Sequence, residues 1–175
     1  MENLKQIISE KAIKQRVEEI AKEISATFEG EVPILVSVLN GSFIFASDLL
    51  RALKVDCEID FIKVSTYSGN KSKGTIDFQK DISAEISNRH VIIVEDIIDS
   101  GLTVKFIRER FMSFDPKSIT IATLLMKPDV AKIDFEVNWV GFEIPPDYVV
   151  GYGLDYNQKF RNLRGIYILG GNNYE

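Results

Sequence analysis

Apolar side chains recur at steps of three and four through Ile13, Val17, Ile20, Ile24 and Phe28. That is the spacing of one buried helical face, and it predicts an amphipathic helix near residues 5–28 that Gly30 ends. Pro33 then introduces the apolar run Ile34 to Leu39, and Asn40-Gly41-Ser42 punctuates it before a second helical pattern through Phe43, Ala46, Leu49, Leu50 and Leu53. A strand, a tight turn and a helix are predicted. Cys57 to Val64 reads as a further strand. The polar stretch from Ser65 to Lys80 follows, with Gly69 and Gly74 inside it. A loop that long is uncommon in a compact domain unless it is functional, so a lid and an unstructured hairpin both stay open.

The densest pattern spans His90 to Phe114. Val91-Ile92-Ile93-Val94 is an unbroken β-branched run suited to a strand buried on both faces, and Thr103 to Phe114 has helical spacing. Ile119 to Met126 predicts another buried strand, Trp139 to Phe142 and Tyr148 to Val150 short ones, and Tyr167 to Leu169 a strand that closes the sheet. Strands alternate with helices, which predicts an α/β fold with a mostly parallel central sheet flanked by helices. At 175 residues the chain suits one domain over residues 1–175.

Charge narrows the partners. With 21 basic and 26 acidic residues the net charge is −5, a poor match to nucleic acid. The longest apolar runs fall far short of the roughly 20 residues that span a bilayer, and the charged N-terminus lacks a signal-peptide core. No membrane partner and a cytoplasmic location are expected. One cysteine, Cys57, and one histidine, His90, cannot supply the usual zinc ligand set, so any metal is held by oxygen.

Between the central strand and its helix lies Glu95-Asp96-Ile97-Ile98-Asp99-Ser100-Gly101-Leu102-Thr103. In an open parallel sheet, ligands bind beyond the carboxyl ends of the strands, where a following helix presents free N–H groups. Gly101 permits close backbone approach, and Ser100 and Thr103 supply hydroxyls, which together suit a phosphate. The chain has neither a Walker lysine loop nor a GxGxxG turn. Glu95, Asp96 and Asp99 would repel phosphate, so they should face sugar hydroxyls or a cation. A sugar phosphate meets both demands; the plainer reading is that these acids cap the helix and are otherwise solvated.

The segment Val91 to Thr103, VIIVEDIIDSGLT, resembles the phosphoribosyl pyrophosphate motif of purine salvage enzymes. Leu39-Asn40-Gly41-Ser42, Ser65-Thr66-Tyr67, Leu124-Leu125-Met126-Lys127-Pro128 and Val149 to Asn157 resemble successive motifs of the hypoxanthine phosphoribosyltransferases, in the same order. The resemblance implies the type I phosphoribosyltransferase fold, with a small hood and a mobile lid loop. It also implies transfer of a phosphoribosyl group from phosphoribosyl pyrophosphate to hypoxanthine and guanine, with Mg2+ as cofactor and a homodimer or homotetramer as the assembly.

Residue by residue, Glu95 and Asp96 would hold the ribose hydroxyls, and Asp99, Ser100, Gly101, Leu102 and Thr103 the 5′-phosphate, with Asp99 also the general base. Lys127 would reach the oxygen on position six of the purine, Tyr148 would stack on the base and the Val149 backbone would meet its edge. Asn40, Gly41 and Arg161 would hold pyrophosphate, Asp155 would ligate magnesium together with Glu95 and Asp96, and Thr66-Tyr67 would open the lid. For these residues the rival readings are ordinary: a solvated lysine, a core tyrosine, a turn aspartate, a surface arginine. One departure stands out. Many members carry Leu-Lys-Gly where this chain has Leu39-Asn40-Gly41, so a positive side chain is missing beside the pyrophosphate, and some members have a cis peptide there. His90, Cys57 and Trp139 read as structural, and Phe43 and Phe45 fit an interface or a core. A xanthine-preferring enzyme and a nucleotide-sensing regulator of the same fold are the alternatives; the regulator is disfavoured by the absence of a basic cluster.

Overall fold

The computed structural model describes residues 3–66 and 76–170. Helix α1 (Glu10–Thr27) begins where Ser9, in extended conformation, accepts the Ala12 N–H on its hydroxyl at 3.2 Å. Its buried stripe is the predicted one, Ile13, Val17, Ile20 and Ile24. The helix starts later than its periodicity suggested. Residues before Ser9 form β1 (Asn3–Ile8), paired antiparallel with β9 (Ile166–Gly170), a long-range pairing that overrides the local helical preference. The C-cap is Phe28, and Gly30, at φ 77°, lies just beyond it in the turn.

The main sheet has six strands in the order β4-β3-β2-β5-β6-β7. Strands β2 (Ile34–Leu39), β3 (Glu58–Thr66), β5 (His90–Ile98), β6 (Ser118–Met126) and β7 (Trp139–Glu143) are parallel to their neighbours, and β4 (Ile76–Lys80) adds antiparallel to β3. That edge strand corrects the reading of Ser65 to Lys80 as one polar loop. Asp60 secures the base of the hairpin by accepting the Phe61, Ser83 and Ala84 N–H groups and the Lys80 ammonium. Burial pushes its carboxyl up, but those hydrogen bonds outweigh burial and hold it below the usual carboxylate range.

Alternate residues of the central strands face opposite layers. Leu35, Ile92, Val94 and Leu124 pack with α1 and with α2 (Phe43–Ala52), whereas Ile34, Val36, Val91, Ile93 and Ile121 pack with α3 (Leu102–Met112). Full burial of each such side chain is worth about 1.5–3 kcal/mol before ordering costs. Covering both faces is why these strands read as continuous apolar runs. Phe45 belongs to this core and is fully buried, while Phe43 on the same helix is exposed. Trp139 is also core, and Cys57 is half-buried.

A second sheet of three strands, β1-β9-β8, corrects the expectation that Tyr167 to Leu169 would close the main one. Strand β8 (Val149–Val150) pairs antiparallel with β9. The two-sheet arrangement matches the expected parallel core with a small hood. Among the described residues no helix is long and apolar enough to cross a membrane.

Candidate active site

Sheet order reverses between β2 and β5. From β2 the chain moves through α2 to β3 on one side, and from β5 it moves through α3 to β6 on the other. The two right-handed crossovers leave α2 and α3 on opposite faces, which opens a crevice at the carboxyl ends of β2 and β5. Glu95 and Asp96 at the end of β5, Asp99 just beyond it and the Asn40-Gly41 turn just beyond β2 fall there.

Strand β5 continues through Glu95 and Asp96 to Ile98, so both acids are strand residues, and both are buried, at 7% and 9% exposure. They do not cap α3. Asp96 lies against the backbone of Gly41; a methyl group at Gly41 would overlap its carboxylate. One Asp96 oxygen accepts the Ile97 N–H at 2.9 Å. Glu95 Oε2 is buried with no hydrogen-bond partner among the described residues. Burial pushes the Glu95 carboxyl well above the usual range, and the charge of Asp96 adds to this. Burial also raises Asp96, opposed by its hydrogen bonds and the charge of Arg161. Two buried acids, one with an orphaned oxygen, leave acceptor capacity unused, which is what a polyhydroxylated ligand would take up.

The β5–β6 register pairs Ile98 with Met126, and the Lys127 N–H donates to Ile98 O at 2.9 Å. The next residue on each strand is therefore Asp99 beside Lys127, and Lys127 Nζ donates to Asp99 Oδ2 at 3.0 Å. Lys127 is not a solvated loop lysine. Its side chain is 9% exposed, while that of Asp99 is 54% exposed and faces the opening.

Gly101, at φ 82°, caps α3 in the left-handed region, and a methyl group there would strike Ile133. The Leu102 N–H approaches Ser100 Oγ at 3.4 Å, and Ser100 O accepts the Lys132 N–H at 3.1 Å. Leu102 is exposed and Thr103 half-buried. The first turn of α3 thus aims its donors away from the helix at the end of β5, where an anion would meet them.

On the hood side, Val149 is buried in the β8–β9 ladder and Tyr148 is exposed, which removes the core reading for Tyr148. Its hydroxyl donates to Asp155 O at 2.9 Å, and its ring meets Tyr156 edge-on. Arg161 forms an ion pair with Asp155 at 2.8 Å and donates to Gly153 O at 2.8 Å. Neither is an isolated surface charge. Gly153 in turn abuts Gly41 O. The Leu39-Asn40 peptide is cis, and buried Ser42 braces the turn by donating to Val38 O at 2.6 Å, with Ser37 Oγ 2.7 Å away. Asn40 itself is exposed. Thr66 ends β3, while Tyr67, the other expected lid residue, lies outside the described residues.

Sequence reasoning did not single out Asp48, Tyr152, Ser37 or the bracing role of Ser42. A tyrosine between two glycines was the available signal for Tyr152. His90 bears out its structural reading, bonded to Ser118 at 2.6 Å and packed on Phe28.

Among the described residues no group of three or more acids, histidines or cysteines forms a metal cage. The donor set fits magnesium nonetheless, since that ion keeps its waters and needs only one or two carboxylates beside substrate phosphates. Asp155 and the acid pair on β5, with its orphaned Glu95 oxygen, are such carboxylates.

Comparison with known proteins agrees with this geometry. Residues 3–157 match the phosphoribosyl transferase domain family. The hypoxanthine-guanine phosphoribosyltransferase of Aquifex aeolicus is 42% identical over 168 residues, covering 95% of this chain and 94% of that protein. That of Bacillus subtilis is 40% identical, covering 94% and 92%. A Bacillus anthracis hypoxanthine-guanine phosphoribosyltransferase with HEPES in its active site superposes with a TM-score of 0.91 at 43% identity, covering 96% of this chain and 100% of that one. The Trypanosoma cruzi hypoxanthine phosphoribosyltransferase in complex with the product IMP gives 0.90 at 35% identity, covering 99% and 97%. With relatives this similar along nearly its whole length, and with the acid pair, the glycine turn and the lysine gathered at one sheet end, the chain belongs to the hypoxanthine-guanine phosphoribosyltransferases.

Proposed function

We propose that the chain, one domain over residues 1–175, transfers the 5-phosphoribosyl group of phosphoribosyl pyrophosphate to hypoxanthine and guanine in purine salvage. The nucleotide forms and pyrophosphate leaves. The observation that carries this reading is the pairing of Lys127 with Asp99 at 3.0 Å, beside two buried acids and an anion-ready helix start.

In the reaction, a purine ring nitrogen bonds to the anomeric carbon as the bond from that carbon to pyrophosphate breaks, and the purine sheds a proton. Asp99, exposed at the opening, receives the proton and stabilises the positive charge growing on the sugar. Glu95 and Asp96 accept the ribose hydroxyls, and the backbone and hydroxyls from Asp99 to Thr103 bind the 5′-phosphate. The Lys127 ammonium has three hydrogens, so it can keep Asp99 and still donate to a six-oxo group. A six-amino group would present donor against donor. Tyr148 covers the base, and the Val149 backbone meets its edge.

Pyrophosphate lies between the Asn40-Gly41 turn and Arg161. Asp155, with Glu95 and Asp96, would hold Mg2+ there. When bound, that ion neutralises charge on the leaving group. Asp155 and Arg161 are already paired at 2.8 Å, so the carboxylate that would hold the ion and the guanidinium that would hold phosphate oxygens sit side by side. The enzyme works in the cytoplasm as a homodimer or homotetramer, without nucleic-acid or membrane partners; the oligomeric state of the T. cruzi relative has itself been studied together with its activity.

Steady-state kinetics with hypoxanthine, guanine, xanthine and adenine, each with phosphoribosyl pyrophosphate and magnesium, tests the proposal. Hypoxanthine and guanine should turn over, with adenine about 100-fold or more poorer in kcat/KM. Absence of turnover with all four would overturn it.

A further inference from the structure

One partly buried polar contact has no part in the chemistry described so far. Tyr152 Oη donates to Asp48 Oδ2 at 2.6 Å, across 104 residues of sequence. Tyr152 is 7% exposed and sits at φ 50° between Gly151 and Gly153, both at φ 103°. Its N–H donates to Leu163 O at 2.7 Å, and the Gly153 N–H donates to Arg161 O at 2.9 Å. On its other side Gly153 touches Gly41 O so closely that no side chain fits between them.

The contact has a definite place in the layout. The β8–β9 ladder ends at Val150, so Val149 is fixed by the sheet while residues 151–155 are not. Asp48 lies on α2, which starts at Phe43, immediately after the Asn40-Gly41 turn. A buried phenol needs an acceptor, and this one is met by a carboxylate on the helix that also carries the turn. Burial, with the Asp48 carboxylate adding to it, pushes the Tyr152 phenol far above its ordinary range, so it stays a donor. Asp48 is itself 43% exposed, with the exposed Arg51 at 3.9 Å.

We propose that Asp48 is a positioning residue for the pyrophosphate end of the reaction: through Tyr152 it clamps residues 151–155, and Arg161 bonded to them, onto the Asn40-Gly41 turn. The inference rests on the proposed seat of pyrophosphate between that turn and Arg161. The purine edge at Val149 is held by the ladder, and the clamped segment reaches the purine side through the Tyr148 hydroxyl on Asp155 O, so loosening the clamp weakens phosphoribosyl pyrophosphate more than the purine.

The test measures kcat and both KM values for the full chain carrying Asp48→Ala, Asp48→Asn, Tyr152→Phe, the Asp48→Ala/Tyr152→Phe pair or Arg161→Gln, with thermal midpoints alongside. Asp48→Ala and Tyr152→Phe should each raise the KM for phosphoribosyl pyrophosphate about five- to thirtyfold, the scale of a lost hydrogen bond to a charged group partly open to water. The KM for hypoxanthine should stay within about twofold, Asp48→Asn should recover most of the loss because its amide oxygen still accepts, and the double variant should be no worse than the poorer single one. Equal rises in both KM values, or a change in thermal midpoint alone, overturn the clamp while Arg161→Gln still weakens phosphoribosyl pyrophosphate. If Arg161→Gln leaves that KM unchanged, the seat of pyrophosphate is misplaced and the clamp falls with it.

Discussion

Replacing Lys127 by methionine removes the ammonium and keeps most of the stem that fills the site, whose side chain is 9% exposed. The partner left behind, Asp99, has 54% of its side chain in solvent, so water takes the place of the lysine and no buried charge is orphaned. With the buried ammonium removed and no buried charge left unpaired, the thermal midpoint should fall by no more than a few degrees. Catalysis should respond far more. Loss of a charged hydrogen bond to the six-oxo group costs roughly 1.5–3 kcal/mol, or about 10- to 150-fold in kcat/KM for hypoxanthine. For adenine the ammonium is an obstacle, so its kcat/KM should hold steady or rise. The assay is therefore a ratio: kcat/KM for hypoxanthine over that for adenine, wild type against Lys127→Met. The ratio should fall at least about tenfold. An unchanged ratio in a folded variant would refute the assignment of base selectivity to Lys127, whatever happened to the absolute rates.

Asp99→Asn keeps an acceptor for Lys127 but is far too weak a base, so kcat should drop by about 10² to 10⁴ with the fold intact; turnover near wild type would remove Asp99 from that role. Gly41→Ala places a methyl group on the Asp96 carboxylate. It should cost about 1–3 kcal/mol in denaturant unfolding and weaken phosphoribosyl pyrophosphate more than hypoxanthine; unaltered stability and binding would show that the contact is slack. Asp60→Asn loses acceptor capacity at the base of the β3–β4 hairpin and should destabilise by about 1–3 kcal/mol at pH 7. Because the folded carboxyl titrates below its ordinary value of 3.8, the native state binds fewer protons than the unfolded one just above that point, and the stabilisation is lost as pH falls through the folded value. Urea unfolding across pH should therefore show a constant gap between wild type and variant down to about pH 4, narrowing below it. A gap already closing between pH 7 and 5 would assign the stabilisation to another group.

Much of the fold was legible because its strands are covered on both faces. Runs such as Val91 to Val94 and Ile34 to Leu39 carry their own signal, and both became central strands. Elements at the margins carried less. Strand β1 owes its conformation to β9, more than 150 residues away, and β4 is an edge strand with alternating polar residues inside a stretch that reads as loop. Phe43 and Phe45 look alike in sequence; only the direction of α2 against the sheet sends one to solvent and the other to the core. The chemistry at the end of β5 was visible as a local string of acids, glycine and hydroxyls. Its union with Lys127 required the parallel register of β5 and β6, and the Asp48–Tyr152 contact required the hood to fold over α2. Neither relation leaves a mark at short sequence range. Asn40 stands where the family resemblance implies a lysine, and the buried Ser37–Ser42 pair lies beneath that turn.

In the proposed binding mode, buried acids grip the sugar while the start of α3 receives its phosphate and Lys127 reads the base. A crystal structure of the chain with inosine 5′-monophosphate tests it most directly. Both ribose hydroxyls should lie on Glu95 and Asp96, the phosphate within hydrogen-bonding distance of the 100–103 amides, and the six-oxo group on Lys127 Nζ. A nucleotide bound away from the end of β5, or bound there with its phosphate toward Lys127, would contradict it.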